Sequence, residues 1–202
     1  MGAAVSAGPL HWAERSRPIP GEVESGDLPV VLPFPGGALL AVMDGLGHGP
    51  EAAAAARLAA DVLRSNPARR PAEQISSCHA ALKGSRGVAM LVVSVSFTPP
   101  TIAWAGVGNI EGWQVSGGRR EAMISRAGVV GYQISLPAER SRVLAPGDLL
   151  ILASDGISPG FADRLVADGD LDEMASAILS TQARASDDAL VLLARYAPEG
   201  ER

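Results

Sequence analysis

The chain has 202 residues with a formal net charge of −5, and 47% of them are hydrophobic but only 4% aromatic. That length suffices for one sizeable domain with its own core, expected to span 1–202, and the scattered Arg and Lys (paired only at Arg69-Arg70 and Arg119-Arg120) exclude a nucleic-acid surface. The single cysteine, Cys78, excludes an internal disulfide and fits a reducing compartment. With no signal-peptide pattern and no apolar run near the ~20 residues of a bilayer span, a cytoplasmic, monomeric protein away from membranes is expected.

Leu10 to Ile19 reads as a first strand, closed by Pro18-Ile19-Pro20-Gly21. An acidic turn, Glu22 to Asp27, leads to a second strand over Leu28–Leu32 and a Pro/Gly turn at 33–37. Leu39 to Met43 is continuously apolar, as in a strand buried on both faces. Pro50 to Ser65 is the clearest helix: alanine is the best helix former, Pro suits the first helical position, and Asn66-Pro67 supplies a stop. A second helix is expected over Pro71–Lys83, with Ile75, Cys78 and Leu82 on one face. Cys78 and His79 within it read as structural.

From Gly87 the period shortens. Val88–Phe97, Thr101–Val107, Ile110–Val115, Glu121–Ser125 and Val129–Ser135 read as strands of an antiparallel meander. Leu149 to Ser154 is another buried strand. Two short helices, Phe161–Val166 and Leu171–Leu179, precede a last strand over Ala189–Tyr196. This order implies an α+β layered domain with helices packed on antiparallel sheets.

The stretch most suggestive of chemistry is Asp44-Gly45-Leu46-Gly47-His48-Gly49-Pro50. It places one carboxylate at the end of a rigid strand beside an open backbone turn. A phosphate-cradling loop would need Gly-Lys-Ser or Gly-Lys-Thr entering the helix. Here the helix opens Gly-Pro-Glu, so a cation is the better ligand for Asp44. Three further acids share its placement: Asp27 closes a turn, Asp155 follows a strand before Gly156, and Asp187 opens the last strand. If those strand ends meet, the carboxylates repel by about 4 kcal/mol per pair at ~4 Å and an effective dielectric near 20. Such a cluster calls for hard ions: magnesium, manganese or calcium. Equally, the four could be separate loop acids capping turns.

Four motifs occur in order: Gly21-Glu22-x-x-Ser25-Gly26-Asp27; Asp44-Gly45-Leu46-Gly47-His48-Gly49; Gly147-Asp148-Leu149 with Ser154-Asp155-Gly156; and Asp187-Asp188. Together they resemble the metal-dependent PPM-type protein serine/threonine phosphatases, and within them the SpoIIE-like branch and its short RsbX-like stressosome members. Gly106-Val107-Gly108-Asn109 also resembles that branch. The resemblance runs from about Trp12 to Tyr196.

The resemblance implies a four-layer α-β-β-α sandwich of two antiparallel sheets flanked by helices. It implies two Mn2+ or Mg2+ ions at one rim. Asp44 would bridge both, the Gly45 carbonyl would bind one, Asp155 and Asp187 the other, and Asp27 would be a ligand or hold metal-bound water. Asp187 is preferred to Asp188 because the family's ligand is the first residue of its pair. Water held by Asp44 and Asp155 would attack phosphorus directly. His48 lies two positions beyond the relatives' general-acid His and is the candidate for that role. No phosphate-gripping Arg is assigned; Arg15 and Arg17 lie nearest its place. Cys78 lacks the Arg of a cysteine phosphatase, since the sixth residue after it is Gly84. The implied substrates are phosphorylated STAS-domain regulators, with surface docking in place of a flap. The competing readings are an inactive binding module on the same fold and a hydrolase of small phosphate esters.

Overall fold

Alternation along one buried strand sets the layering. Within Gly37–Gly45 every residue except Asp44 is buried. Leu40 and Val42 join one apolar cluster, whereas Leu39, Ala41 and Met43 join another. Successive side chains point to opposite faces of a sheet, so this strand needs cover on both sides, as its unbroken apolar run predicts.

The computed structural model describes residues 5–165 and 167–198. Strands β1 (Val5–Ala7), β2 (Leu10–Arg17), β3 (Asp27–Phe34) and β4 (Gly37–Gly45) precede helices α1 (Pro50–Ser65) and α2 (Pro71–Ala81). Strands β5 (Val88–Phe97), β6 (Pro100–Val107), β7 (Glu111–Ser116), β8 (Arg119–Ala122), β9 (Gly128–Val129), β10 (Gln133–Ile134), β11 (Arg140–Val143) and β12 (Leu149–Ala153) follow. Helix α3 (Leu171–Gln182) and strand β13 (Ala189–Tyr196) complete the order.

The strands form a six-stranded sheet, β1-β2-β13-β12-β7-β8, and a five-stranded sheet, β11-β6-β5-β4-β3, with β9 and β10 as a separate hairpin. All of these pairings are antiparallel. Leu40, Val42, Leu91, Trp104, Leu150 and Leu190 fill the space between the two sheets. The alanines of α1, with Ile75 and Cys78 of α2, cover the outer face of the five-stranded sheet. Leu171, Met174, Ala175 and Ile178 of α3 cover the six-stranded one. This is the α-β-β-α sandwich that the resemblance implies.

Helix α1 spans the residues its sequence predicts. Gly49, at φ +75°, supplies the left-handed turn before Pro50, and the Asn66 N–H closes the far end on the Leu63 carbonyl. Its small side chains let it lie close to the sheet. A Cβ at Gly45 would stand 2.2 Å from the Ala52 carbonyl oxygen, so only glycine fits there.

Several elements differ from expectation. The runs after Gly87 do not make one meander: β5 and β6 belong to one sheet, β7 and β8 to the other. Strand β5 is apolar on both faces, so the chain must supply a second layer rather than extend the first. The run over 129–135 splits around Gly131, at φ +100°, into β9 and β10. Strands β1 and β11 carried no apolar alternation and were not expected; both lie at sheet edges. The first strand stops at Arg17, before Pro18, whose ring nitrogen cannot donate to a ladder. The expected helix over Phe161–Val166 is a single 3-10 turn, Phe161–Arg164, and Val166 lies outside the described residues. The Cys78 thiol is buried and pushed up to about 12, first by burial. The His79 Nδ1 accepts the Gly131 N–H at 3.0 Å, so both residues of α2 have structural surroundings. Among the described residues no helix is long and apolar enough to cross a membrane.

Candidate active site

The four acids come from the ends of four strands in two sheets. In the β3–β4 pair, Asp27 is the register partner of Asp44. Asp155 leaves the end of β12, and Asp187 approaches the start of β13, which is paired with β12 through Ala153 and Val191. Ser154 ties the two sheets together at this edge. Its Oγ donates to Asp27 Oδ2 at 2.6 Å and accepts the Leu190 N–H at 2.9 Å.

Asp44, Asp155 and Asp187 line an open cleft of about 670 Å3, together with Leu46, His48 and Asn109. Asp27 and Gly45 are buried and stand outside the cleft lining. The Gly45 N–H donates to the Gly26 carbonyl at 3.1 Å, and a Cβ at Gly26 would come within 3.2 Å of the Gly45 carbonyl oxygen. Asn109 Nδ2 donates to Asp155 Oδ2 at 2.6 Å, which orients that carboxylate.

The adjacent acids Asp187 and Asp188 have different surroundings. Asp188 is 3% exposed and accepts the N–H groups of Ile19 and Gly26, both at 2.7 Å. It therefore fastens the loop before β3. Asp187 is partly exposed and faces the cleft.

Burial and mutual repulsion dominate the electrostatics. The Asp27 carboxyl is pushed up to about 7 by burial, against the Ser154 hydrogen bond, with Asp188, Asp155 and Asp187 adding to the rise. Asp44 is pushed up to about 8 by burial and then by Asp27, Asp155, Asp187 and Asp188. Asp187 is raised as well, first by burial and then by Asp155. The rim therefore has a deficit of positive charge, and its donors are all oxygen, a set suited to hard divalent ions. Among the described residues, no three His, Cys, Asp or Glu side chains converge closely enough to form a ready-made cage. Carboxylates on their own repel one another, so a shared rim without close convergence is what charge dictates.

His48 is more than half exposed at the cleft edge, and its Nδ1 pairs with Glu22 Oε1 at 2.8 Å. Neither Arg15 nor Arg17 lines the cleft. Arg15 donates to Asp172 and Ser176 of α3, and Arg17 donates to the Arg184 carbonyl. The roles of Ser154 and Asn109 were not assigned from sequence. Both residues stand in the recognised motifs, but their partners lie far along the chain, with Ser154 and Asp27 separated by 127 positions.

The family model for stage II sporulation protein E matches residues 35–197. The chain belongs to the SpoIIE family. A chain solved in work on the bacterial stressosome, as a modular system adapted to control secondary messenger signalling, is 30% identical to this SpoIIE-family member. It superposes with a TM-score of 0.86, covering 92% of this chain and 99% of that one. RsbX in complex with magnesium is 19% identical with a TM-score of 0.87, over 96% and 99% of the two chains. The catalytic domain of the serine/threonine phosphatase PstP, in complex with two manganese ions, is 18% identical with a TM-score of 0.71, over 93% and 98%. A search of curated protein sequences gave no significant match. This SpoIIE-family chain thus has the PP2C-type phosphatase fold, and the open cleft lies at the rim of its two sheets.

Proposed function

We propose that the chain is an Mn2+- or Mg2+-dependent protein serine/threonine phosphatase acting on phosphorylated STAS-domain regulators. One observation carries this reading: Asp27 and Asp44 oppose each other in register, Asp44 shares one cleft with Asp155 and Asp187, and the Asp27 and Asp44 carboxyls are raised first by burial and then by neighbouring acids. In this reading Asp27, Asp44, the Gly45 carbonyl, Asp155 and Asp187 hold two divalent ions. When bound, such ions lower the pKa of water and stabilise the entering and leaving oxygens of an in-line displacement. The rest is the work of the chain's own side chains. Asn109 holds Asp155, and Ser154 holds Asp27. In this reading His48, tethered by Glu22 at the cleft edge, gives the departing serine or threonine oxygen its proton. The open cleft suits a phosphorylated side chain standing out from a folded protein. The stressosome relative supports a signalling substrate.

The test is phosphate release from a phosphorylated STAS-domain protein with manganese, with chelator, and with Asp44→Asn or Asp155→Asn. Manganese-dependent release abolished by either substitution is expected. No release from any phosphoprotein by folded protein would instead favour a binding module, and faster turnover of nucleotides than of phosphoproteins would favour a small-molecule hydrolase.

A further inference from the structure

A phosphoester dianion with three outer oxygens can use a fork of N–H donors beside the two ions, and Arg15 and Arg17 are occupied elsewhere. We infer that Arg86 grips the substrate phosphate, an inference that rests on the phosphatase reading. Its position is set by neighbours on both sides. The Leu46 N–H donates to the Gly87 carbonyl at 3.1 Å, which pins the residue after Arg86 to the turn behind Asp44. Val88 and Val130 exchange backbone hydrogen bonds at 3.0 and 2.9 Å, which ties the same segment to the β9–β10 hairpin. Both of those neighbours line the cleft, through Leu46 and Gly47 on one side and Gly128 and Val129 on the other. Arg86 is therefore anchored between two walls of the site.

Arg86 itself stands outside the cleft lining, but its guanidinium lies at the rim. A Cβ added to Gly47 would stand 2.8 Å from Arg86 Nη1, so the guanidinium lies against the backbone of the cleft-lining turn. Its Nη2 pairs with Glu51 in the first turn of α1, which holds the fork in place. The remaining N–H groups make no hydrogen bond among the described residues, and the side chain is half exposed. A planar fork with free donors matches the oxygens of a phosphoryl group. The other cations nearby are less suited. Arg126 donates to the Leu136 carbonyl, and Arg184 is exposed and outside the cleft lining, with no side-chain contact to the turn behind Asp44 among the described residues.

Steady-state kinetics on a phosphoprotein, with inorganic phosphate as product inhibitor, test this. Arg86→Ala is expected to raise both KM and the phosphate inhibition constant about tenfold, the loss of one charge-assisted contact. Its kcat should fall by less than KM rises. Arg86→Lys should recover part of the loss, and manganese affinity measured by calorimetry should stay with the wild type. Arg184→Ala should move neither constant by more than about twofold. Unchanged KM and phosphate inhibition in Arg86→Ala, or the same rise in Arg184→Ala instead, would overturn the assignment. If the wild type releases no phosphate, the phosphatase reading fails on its own. The Arg86 role is then read from calorimetric binding of inorganic phosphate to wild-type and Arg86→Ala protein with manganese, where equal affinities overturn it.

Discussion

Asp27 and Asp44 face each other directly across the β3–β4 ladder, two acids in a register position where like charges destabilise a sheet. Neither has a cationic partner among the described residues. The pair is held by what surrounds it: Ser154 donates to Asp27 from the other sheet, and the Gly26–Gly45 backbone bond locks the strand ends together. Four consequences can be measured.

The first concerns pH. The folded-state carboxyls of Asp27 and Asp44 are raised to about 7 and about 8, above the ordinary Asp value. Between pH 4 and pH 8 the folded metal-free protein therefore binds more protons than the unfolded chain, and its stability falls as pH rises. Calorimetry in chelator should show Tm declining across this window. Manganese or magnesium should raise Tm most near pH 8. A Tm that is flat or rises with pH would contradict the charge deficit at the rim.

Removing one charge of the pair separates stability from activity. Asp44→Asn should raise the stability of chelated protein at pH 8 by about 1 kcal/mol, since a buried like-charge pair is relieved. In the proposed function Asp44 is a metal ligand, so the same variant should lose phosphate release by at least ~100-fold, more than the loss of an outer-shell partner costs. Thermal melts and the phosphate-release assay on one preparation read both effects. Loss of both stability and activity would point to a structural role for Asp44.

Adjacent acids should behave differently. Asp188→Ala strands the Ile19 and Gly26 N–H groups and should cost about 2–5 kcal/mol in urea denaturation. Asp187→Ala in chelator should change stability by about 0.5 kcal/mol or less, yet weaken manganese binding in calorimetric titration. The reverse pattern would exchange the two assignments.

Ser154→Ala removes the donor to Asp27 and the acceptor of the Leu190 N–H in one step. A loss of roughly 1–3 kcal/mol is expected. The Ser154 hydrogen bond opposes the rise of the Asp27 carboxyl, so the variant should also lose stability more steeply with rising pH. A uniform loss across pH would mean that Ser154 acts through packing alone.

Much of the architecture is legible in local residue patterns. Helix α1 and strands β5 and β13 begin and end where composition predicts. Alanine content, Gly49-Pro50 at one end and Asn66-Pro67 at the other are local signals that act within a few residues. The acids at strand ends could be picked out for the same reason, and the order of their motifs supplied the family. Edge strands such as β11 were not legible, because a polar edge carries no alternating apolar pattern.

What the sequence by itself determined is the periodic part: which long buried segments are strands and helices, and which acids sit at their ends. What only the tertiary structure decided is who faces whom. Asp187 and Asp188 are neighbours of one type, and no local pattern shows that one fastens a loop while the other meets the cleft. Nor does any pattern show that Arg15 turns to α3 while Arg86 turns to the Gly47 backbone. Those choices depend on how two sheets stack and where loops far apart in sequence meet, which is set by burial of the whole apolar surface rather than by neighbouring residues.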